Sequence, residues 1–177
     1  QWGAVRQLWP AHVELLGLSG AGLADPPAPG ATFHGNALVK ARAAVRAGDF
    51  ALADDSGLEV DALGGQPGVH SARFAGEPSD DARNNQKLLV ALVEIAEDGR
   101  TARFRCVVAL VTASGGEFTA EGVIEGRIIT ATRGCNGFGY DALFEIADLA
   151  AGALNGRTMA ELHLDEKNCV SHRARAY

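Results

Sequence analysis

Apolar and polar positions along the chain fall into two spacings, one helical and one alternating. At the start, Val5 and Leu8 share a helical face and Pro10 closes the segment. Val13 to Leu18 reads as a short strand, followed by a loop rich in Pro and Gly from Ser19 to Gly30. Ala37 to Ala47 is expected to be a helix, with Leu38, Ala41 and Val45 inward and Lys40, Arg42 and Arg46 partly exposed. Phe50 to Ala53 is an apolar run that stops at Asp54 and Asp55, the profile of a buried strand ending at a polar crevice.

Further along, Ser79 or Asp80 can cap a helix in which Leu88, Leu89, Leu92 and Ile95 form an apolar stripe. Phe104 to Val111 is apolar on both faces, as a central strand would be. Phe118 to Ile124 alternates, with Thr119 and Glu121 opposite Ala120 and Ile124. The short gap Thr112 to Gly116 predicts an antiparallel hairpin between them. Ala160 to Leu162 and Glu166 to Ala176 are expected to be helical. Strands and helices in this order predict one α/β or α+β domain over residues 1–177.

Composition narrows the class. With 177 residues, 47% of them hydrophobic, the chain has ample material for a core, which excludes wholesale disorder. The longest strongly apolar run, Cys106 to Val111, is far short of the roughly 20 residues of a membrane span. No basic segment leads into an apolar stretch at the start, so neither a signal peptide nor a membrane partner is expected. The net charge of −6 argues against gripping a nucleic-acid backbone, so an anionic partner should be small and held by local cations or a metal. Cys106, Cys135 and Cys169 match neither a zinc pattern nor a disulfide framework, pointing to a reducing compartment.

Three clusters carry possible chemistry. In Ala53-Asp54-Asp55-Ser56-Gly57, neighbouring strand carboxylates face opposite sides, and either can hold Mg²⁺ or take a proton from water. Gly57 is expected to let the chain turn there. The alternative is an ordinary polar turn. Gly134-Cys135-Asn136-Gly137-Phe138-Gly139-Tyr140-Asp141 places aromatics among glycines, where a planar base could stack and Asp141 accept hydrogen bonds; a Gly-rich structural turn would look similar. Glu166-Lys167-Asn168 with Ser171-His172-Arg173 concentrates donors on one helix, with Lys167 and Ser171 on one face. A solvated C-terminal helix is the plain reading of that pattern.

Taken together, these segments change the picture. Thr32-Phe33, Asn36-Ala37, Lys40-Ala41, Ala-Asp-Asp-Ser-Gly-Leu at Ala53 to Leu58, Gly64 to Val69, Ser71-Ala72-Arg73, Phe138 to Asp141, and Glu166 to Arg173 stand in one order. In that order the chain resembles the ITP/XTP pyrophosphatases, enzymes that hydrolyse deaminated purine nucleoside triphosphates. The resemblance runs from about Gly30 to Ala176. It implies an elongated mixed β-sheet flanked by helices, a homodimer in the cytoplasm, and cleavage of ITP, dITP or XTP to monophosphate and pyrophosphate with Mg²⁺. By the same resemblance Asp55 would be the general base and a metal ligand, Ser56 would touch substrate and Lys40 would face the phosphates. Phe138, Gly139, Tyr140 and Asp141 would line the base, with Lys167, His172 and Arg173 completing the pocket.

The chain departs from that family on the phosphate side. The family's first strand is expected to be missing, and its Thr/Ser-x-Asn-x-x-Lys loop corresponds to Gln1 and Ala4. Two glutamates are replaced by Ala28 and Gly35, and the latter removes the acidic partner of a capping box at Thr32. Ala142 stands where the family has Pro. A homologue that keeps the purine pocket but not hydrolysis is the second reading these positions support.

Overall fold

The computed structural model describes residues 30–45 and 50–177. The helix and strand expected near Val5 and Val13, the absent first strand, and positions 1, 4, 28, 46 and 47 lie outside the described residues. Helix α1 spans Phe33–Ala44 and is followed by strand β1, Phe50–Val60. Helix α2 covers Asp81–Ala91, strand β2 Thr101–Thr112 and strand β3 Glu117–Ile128. Strand β4 is Phe144–Ile146, and helices α3 (Leu164–Val170) and α4 (His172–Ala176) close the chain. The four strands form one sheet in the order β1-β2-β3-β4, and every described pairing is antiparallel. Among the described residues, no helix is long and apolar enough to cross a membrane.

Why the layers form is legible in the strand registers. Ala53, Asp55 and Gly57 on β1 sit beside Ala109, Val107 and Arg105 on β2, and beside Thr119, Glu121 and Val123 on β3. One half of that face is apolar, and α1 covers it with Phe33, Ala37 and Ala41 against Val107, Ala109 and Val111. Burial of Phe33 alone stabilises this contact by about 2 kcal/mol. The other half carries a charge ladder instead: Arg105 pairs with Glu59 and Glu121, and Arg103 with Asp61 and Glu125.

On the opposite face, Leu58, Phe104 and Ile124 stack with Leu88 and Leu92, Leu143, Phe144 and Met159 into the largest core. Nearer the Asp54 end, Cys106 and Val108 pack on Ala176, with Leu52 and Tyr177 alongside. The sheet is thus sandwiched between α1 on one side and α4 with the main core on the other.

Several elements differ from the sequence expectation in extent. Helix α1 starts earlier than Ala37, because Thr32 caps it by accepting from Gly35 N at 3.1 Å; half of a capping box survives without the acidic residue. It ends at Ala44, where Val45 turns extended. For α2, Asp80 is the cap, accepting from Arg83 N at 2.9 Å. That helix stops at Ala91, so Ile95 packs on the core from beyond its end. The β2–β3 hairpin forms at Thr112 to Gly116, where Gly115 takes φ +87°. The short helical stretch near Ala160 is a single 3-10 turn, Met159–Glu161.

Three corrections bear on function. β1 does not end at Ala53 but runs to Val60, so Asp54 and Asp55 lie mid-strand, opposite Val108 and Val107. The two carboxylates interrupt the apolar run without interrupting the backbone ladder, because cations on each face of the sheet receive them. Nor is Gly57 a turn. It is a strand residue whose missing side chain admits the 3-10 segment Gly68–Arg73: a Cβ would overlap the Gly68 carbonyl oxygen and stand 2.5 Å from Ser71 Oγ. The third correction is at the C-terminus, where the single expected helix from Glu166 to Ala176 is two. Ser171, at φ −64° and ψ 155°, ends α3 and caps α4, its hydroxyl accepting from Ala174 N at 3.2 Å.

Candidate functional site

The mid-strand position of Asp54-Asp55-Ser56 sends these side chains to alternate faces of one rigid strand. Asp55 faces α1. Its Oδ1 accepts from Lys40 Nζ at 2.7 Å and its Oδ2 from Asn36 Nδ2 at 3.0 Å. Lys40 also donates to the Asp54 carbonyl oxygen at 3.2 Å, so its ammonium sits against the β1 backbone. Lys40 and Asn36 are four apart on α1, one turn of the same helix face. Asn36 is buried, and its Oδ1 accepts from Gly30 N at 2.8 Å, tying the segment before α1 to the carboxylate.

Asp54 and Ser56 face α4. Arg173 donates from Nε to Asp54 Oδ2 at 3.1 Å and from Nη2 to Ser56 Oγ at 2.5 Å. Burial and then the neighbouring Asp54 carboxylate push the Tyr177 phenol up, and Cys106 Sγ lies 3.7 Å from Asp54 Oδ2. Burial pushes the Cys106 thiol far above its ordinary range, with Asp54 adding to the effect, so it stays protonated.

The Gly-rich loop is built around Asp141. Its Oδ2 accepts from Phe138 N at 2.9 Å and from Lys167 Nζ at 2.5 Å. Gly137, at φ +78°, makes this convergence possible, since a Cβ there would overlap that same oxygen. Helix α2 pins the loop from the other side, with Asp81 accepting from Gly139 N at 2.7 Å and Asn85 donating to Gly139 O at 3.0 Å. Held in this way, the Phe138 ring is 44% exposed, with Lys167 Nζ 5.1 Å and Arg173 Cζ 5.7 Å from its centroid. A large apolar ring left open between two cations is a stacking platform for an electron-rich planar group.

His172 completes the wall. It is buried and stacks on Phe104 with ring centroids 5.0 Å apart and planes at 19°. Burial, with Arg173 and Lys167 nearby, depresses its pKa well below the usual imidazole value, so the ring is neutral. Its Nε2 lies 3.4 Å from Arg173 Nη1, and its buried Nδ1 has no hydrogen-bond partner among the described residues.

The structure therefore brings Phe138, Gly139, Asp141, Lys167, His172, Arg173 and Ser56 to one side of β1, and Lys40 and Asp55 to the other. Tyr140 behaves differently. It is buried in the main core and donates its hydroxyl to Ser71 O at 2.8 Å, so it anchors the loop rather than presenting its ring. Sequence reasoning gave no role to Asn36, Asp81 or Asn85. Asn36 carried a signal, being a polar residue one position from the inward face of α1; Asp81 and Asn85 looked like ordinary helix-surface residues.

Comparison with known proteins shows the family of the chain. A model of the Ham1 family matches residues 5–177. The chain is 51% identical over 156 residues to a dITP/XTP pyrophosphatase of Desulforamulus reducens, covering 88% of this chain and 75% of that protein. It is 49% identical to a dITP/XTP pyrophosphatase of Symbiobacterium thermophilum, covering 94% and 80%. Among solved structures, a HAM1 protein from Coxiella burnetii superposes with a TM-score of 0.86 at 39% identity, over 98% of this chain and 87% of that one.

Proposed function

The chain belongs to the Ham1 family, and from that premise we propose that it hydrolyses deaminated purine nucleoside triphosphates, ITP, dITP and XTP, to the monophosphate and pyrophosphate. The observation that carries the reading is the division of β1: Asp55 with Lys40 on one face, and Arg173 with the Phe138 platform on the other. Such a strand can hold both ends of one nucleotide.

The purine stacks on Phe138, where Lys167 and Arg173 keep the ring surroundings cationic. Hypoxanthine and xanthine carry an acceptor oxygen at position 6, where adenine carries an amino donor. Arg173 satisfies the first and leaves the second facing a donor without an acceptor, a mismatch that can reject a substrate by ~10⁴-fold or more. Neutral His172 adds no charge repulsion against the arginine beside it.

At the other end, Lys40 meets the polyphosphate and Asp55 takes the proton from the attacking water as the α–β phosphoanhydride is cleaved. The leaving group departs as pyrophosphate. Mg²⁺ fits this donor set, because it is commonly bound by one or two carboxylates with substrate phosphates and waters. Among the described residues no group of three or more His, Cys, Asp or Glu is arranged to hold a metal alone, so Asp55 and the phosphates would share it. When bound, the ion would neutralise phosphate charge. A cytoplasmic homodimer is proposed with this activity.

The test is pyrophosphate release from ITP, XTP and ATP with and without Mg²⁺. Turnover of ITP and XTP with little ATP hydrolysis is expected. ITP binding without turnover would instead support a nucleotide-binding homologue, and neither binding nor turnover would overturn both.

A further inference from the structure

Asp54 is adjacent to the proposed base, yet its carboxylate touches none of that base's partners, and only its backbone carbonyl meets Lys40. Its carboxylate lies among Arg173, Tyr177 and Cys106, on the α4 face of the sheet. We propose that Asp54 is the positioning residue of the purine pocket: it holds the Arg173 guanidinium in the orientation that reads position 6 of the base. The proposal rests on the reading of function above.

Arg173 sits on a helix of five residues, His172–Ala176, and its side chain has several freely rotating bonds. Left alone it would sample many rotamers, and a purine would have to order it on binding. Two side chains of β1 prevent this. Asp54 takes Nε and Ser56 takes Nη2, so one edge of the planar guanidinium is fixed against two residues of a single strand. Those residues are themselves held in register opposite Val108 and Cys106 of β2, in the middle of an 11-residue strand. The Nη1 amine is the nitrogen that neither anchor uses, and it lies beside His172 and near the Phe138 platform. Fixing one edge of a fork and leaving its other corner is how a donor is preorganised toward an acceptor of known position.

The anchor's chemistry matters as much as its place. A carboxylate pairs with the guanidinium by a charge-assisted bond, while the neutral Ser56 hydroxyl supplies direction. Asn at position 54 keeps the shape and loses the charge. It can also present its amide N–H₂ to the arginine, which has only donors.

The experiment compares the parent, Asp54→Asn, Asp54→Glu, Arg173→Ala and the Asp54→Asn/Arg173→Ala double variant. Steady-state kinetics are measured on ITP and ATP, with equilibrium binding of inosine monophosphate and of tripolyphosphate. Asp54→Asn is expected to raise KM for ITP, weaken inosine monophosphate binding by about 5- to 50-fold and lower the ITP-to-ATP preference. Tripolyphosphate affinity should change far less, and Asp54→Glu should recover part of the loss. In the Arg173→Ala background, Asp54→Asn should cost selectivity nothing further, because the residue it positions is gone; a merely structural effect would add. Parental inosine monophosphate affinity and selectivity in Asp54→Asn would overturn the proposal. So would a loss confined to kcat and tripolyphosphate binding, which would place Asp54 at the phosphate end. A parent that neither binds inosine monophosphate nor turns over ITP would instead overturn the functional reading itself, and the proposal with it.

Discussion

Gly122 on β3 and His172 on α4 meet backbone to backbone. A Cβ added at residue 122 would overlap the His172 carbonyl oxygen and stand 2.6 Å from Ala176 N and 2.8 Å from Arg175 Cβ. The seat of α4 on the sheet, and with it the position of Arg173, therefore depends on an absent side chain two strands away from Asp54. Arg175 fastens the same helix by donating to Val123 O at 2.7 Å and to Asp148 Oδ2 at 2.8 Å.

Gly122→Ala is expected to push α4 off the sheet. The overlap is with backbone rather than with a flexible side-chain tip, so relief requires the helix to move. Overpacking of this kind costs about 1–3 kcal/mol. The substitution should lower the urea midpoint and also reduce the ITP-to-ATP preference, although Arg173 itself is untouched. A variant with parental stability and parental selectivity would show that α4 does not depend on this contact.

Gly57→Ala tests the β1 side of the molecule. Here the new methyl meets the Gly68 carbonyl and Ser71 Oγ, the hydroxyl that accepts from Leu58 N at 2.8 Å and donates to Gly68 O at 2.6 Å. The expected loss is about 1–3 kcal/mol from overpacking, with further loss if the Leu58 N–H is left unpaired. Chemical denaturation measures it. An unchanged midpoint would mean the Gly68–Arg73 segment shifts freely.

These two glycines show where the sequence was legible and where it was not. The apolar stripes gave the helices and the β2–β3 hairpin, because burial of Leu88, Leu92, Ile124 and Val107 is a local pattern with a period. Asp54-Asp55-Ser56-Gly57 broke that pattern and so read as a strand end and a turn. What keeps the strand extended is tertiary: Lys40 and Asn36 from one face, Arg173 from the other, and a 3-10 segment that needs Gly57 bare. No period in the sequence encodes a partner 119 positions away. For the same reason Ser171 read as mid-helix, when its hydroxyl caps a new helix. Resemblance named the residues of the candidate site, while the burial of Tyr140 away from it and the division of the others across two faces of one strand required the fold.

Asp148 sets a pH dependence. Its carboxyl is held down to about 2, chiefly by the Arg175 hydrogen bond and then by the backbone N–H groups of Glu125 and Ala150, against the opposing effect of burial. A folded pKa below the unfolded value of about 3.9 stabilises the protein at all pH above that value, and the stabilisation disappears as pH falls toward 2. The contribution is at most about 3 kcal/mol. In denaturant titrations at pH 6 and pH 2.5, Asp148→Asn should be clearly less stable than the parent at pH 6, and the gap should shrink at pH 2.5. A gap independent of pH would remove ionised Asp148 from the account.

Asp55 carries the sharpest prediction. It is a half-buried carboxylate paired to Lys40 across 2.7 Å, with little apolar surface of its own in the core. Asp55→Asn preserves shape and can still meet Lys40 through its carbonyl oxygen, so the variant should fold with a melting temperature close to the parent's. It cannot take a proton at neutral pH, and an amide oxygen is a poorer Mg²⁺ ligand than a carboxylate. Loss of a general base typically costs about 10²–10⁴-fold, and weaker metal binding would add to that. The loss should fall on kcat for ITP, with inosine monophosphate affinity retained, since the purine pocket lies on the other face of β1. Lys40→Ala provides the contrast: it keeps the Asp55 side chain but removes the cation facing the phosphates, so it should raise KM for ITP and weaken tripolyphosphate binding. Pyrophosphate release at saturating Mg²⁺ separates the two. Near-parental turnover in Asp55→Asn would place the base elsewhere, whatever the fate of the purine pocket.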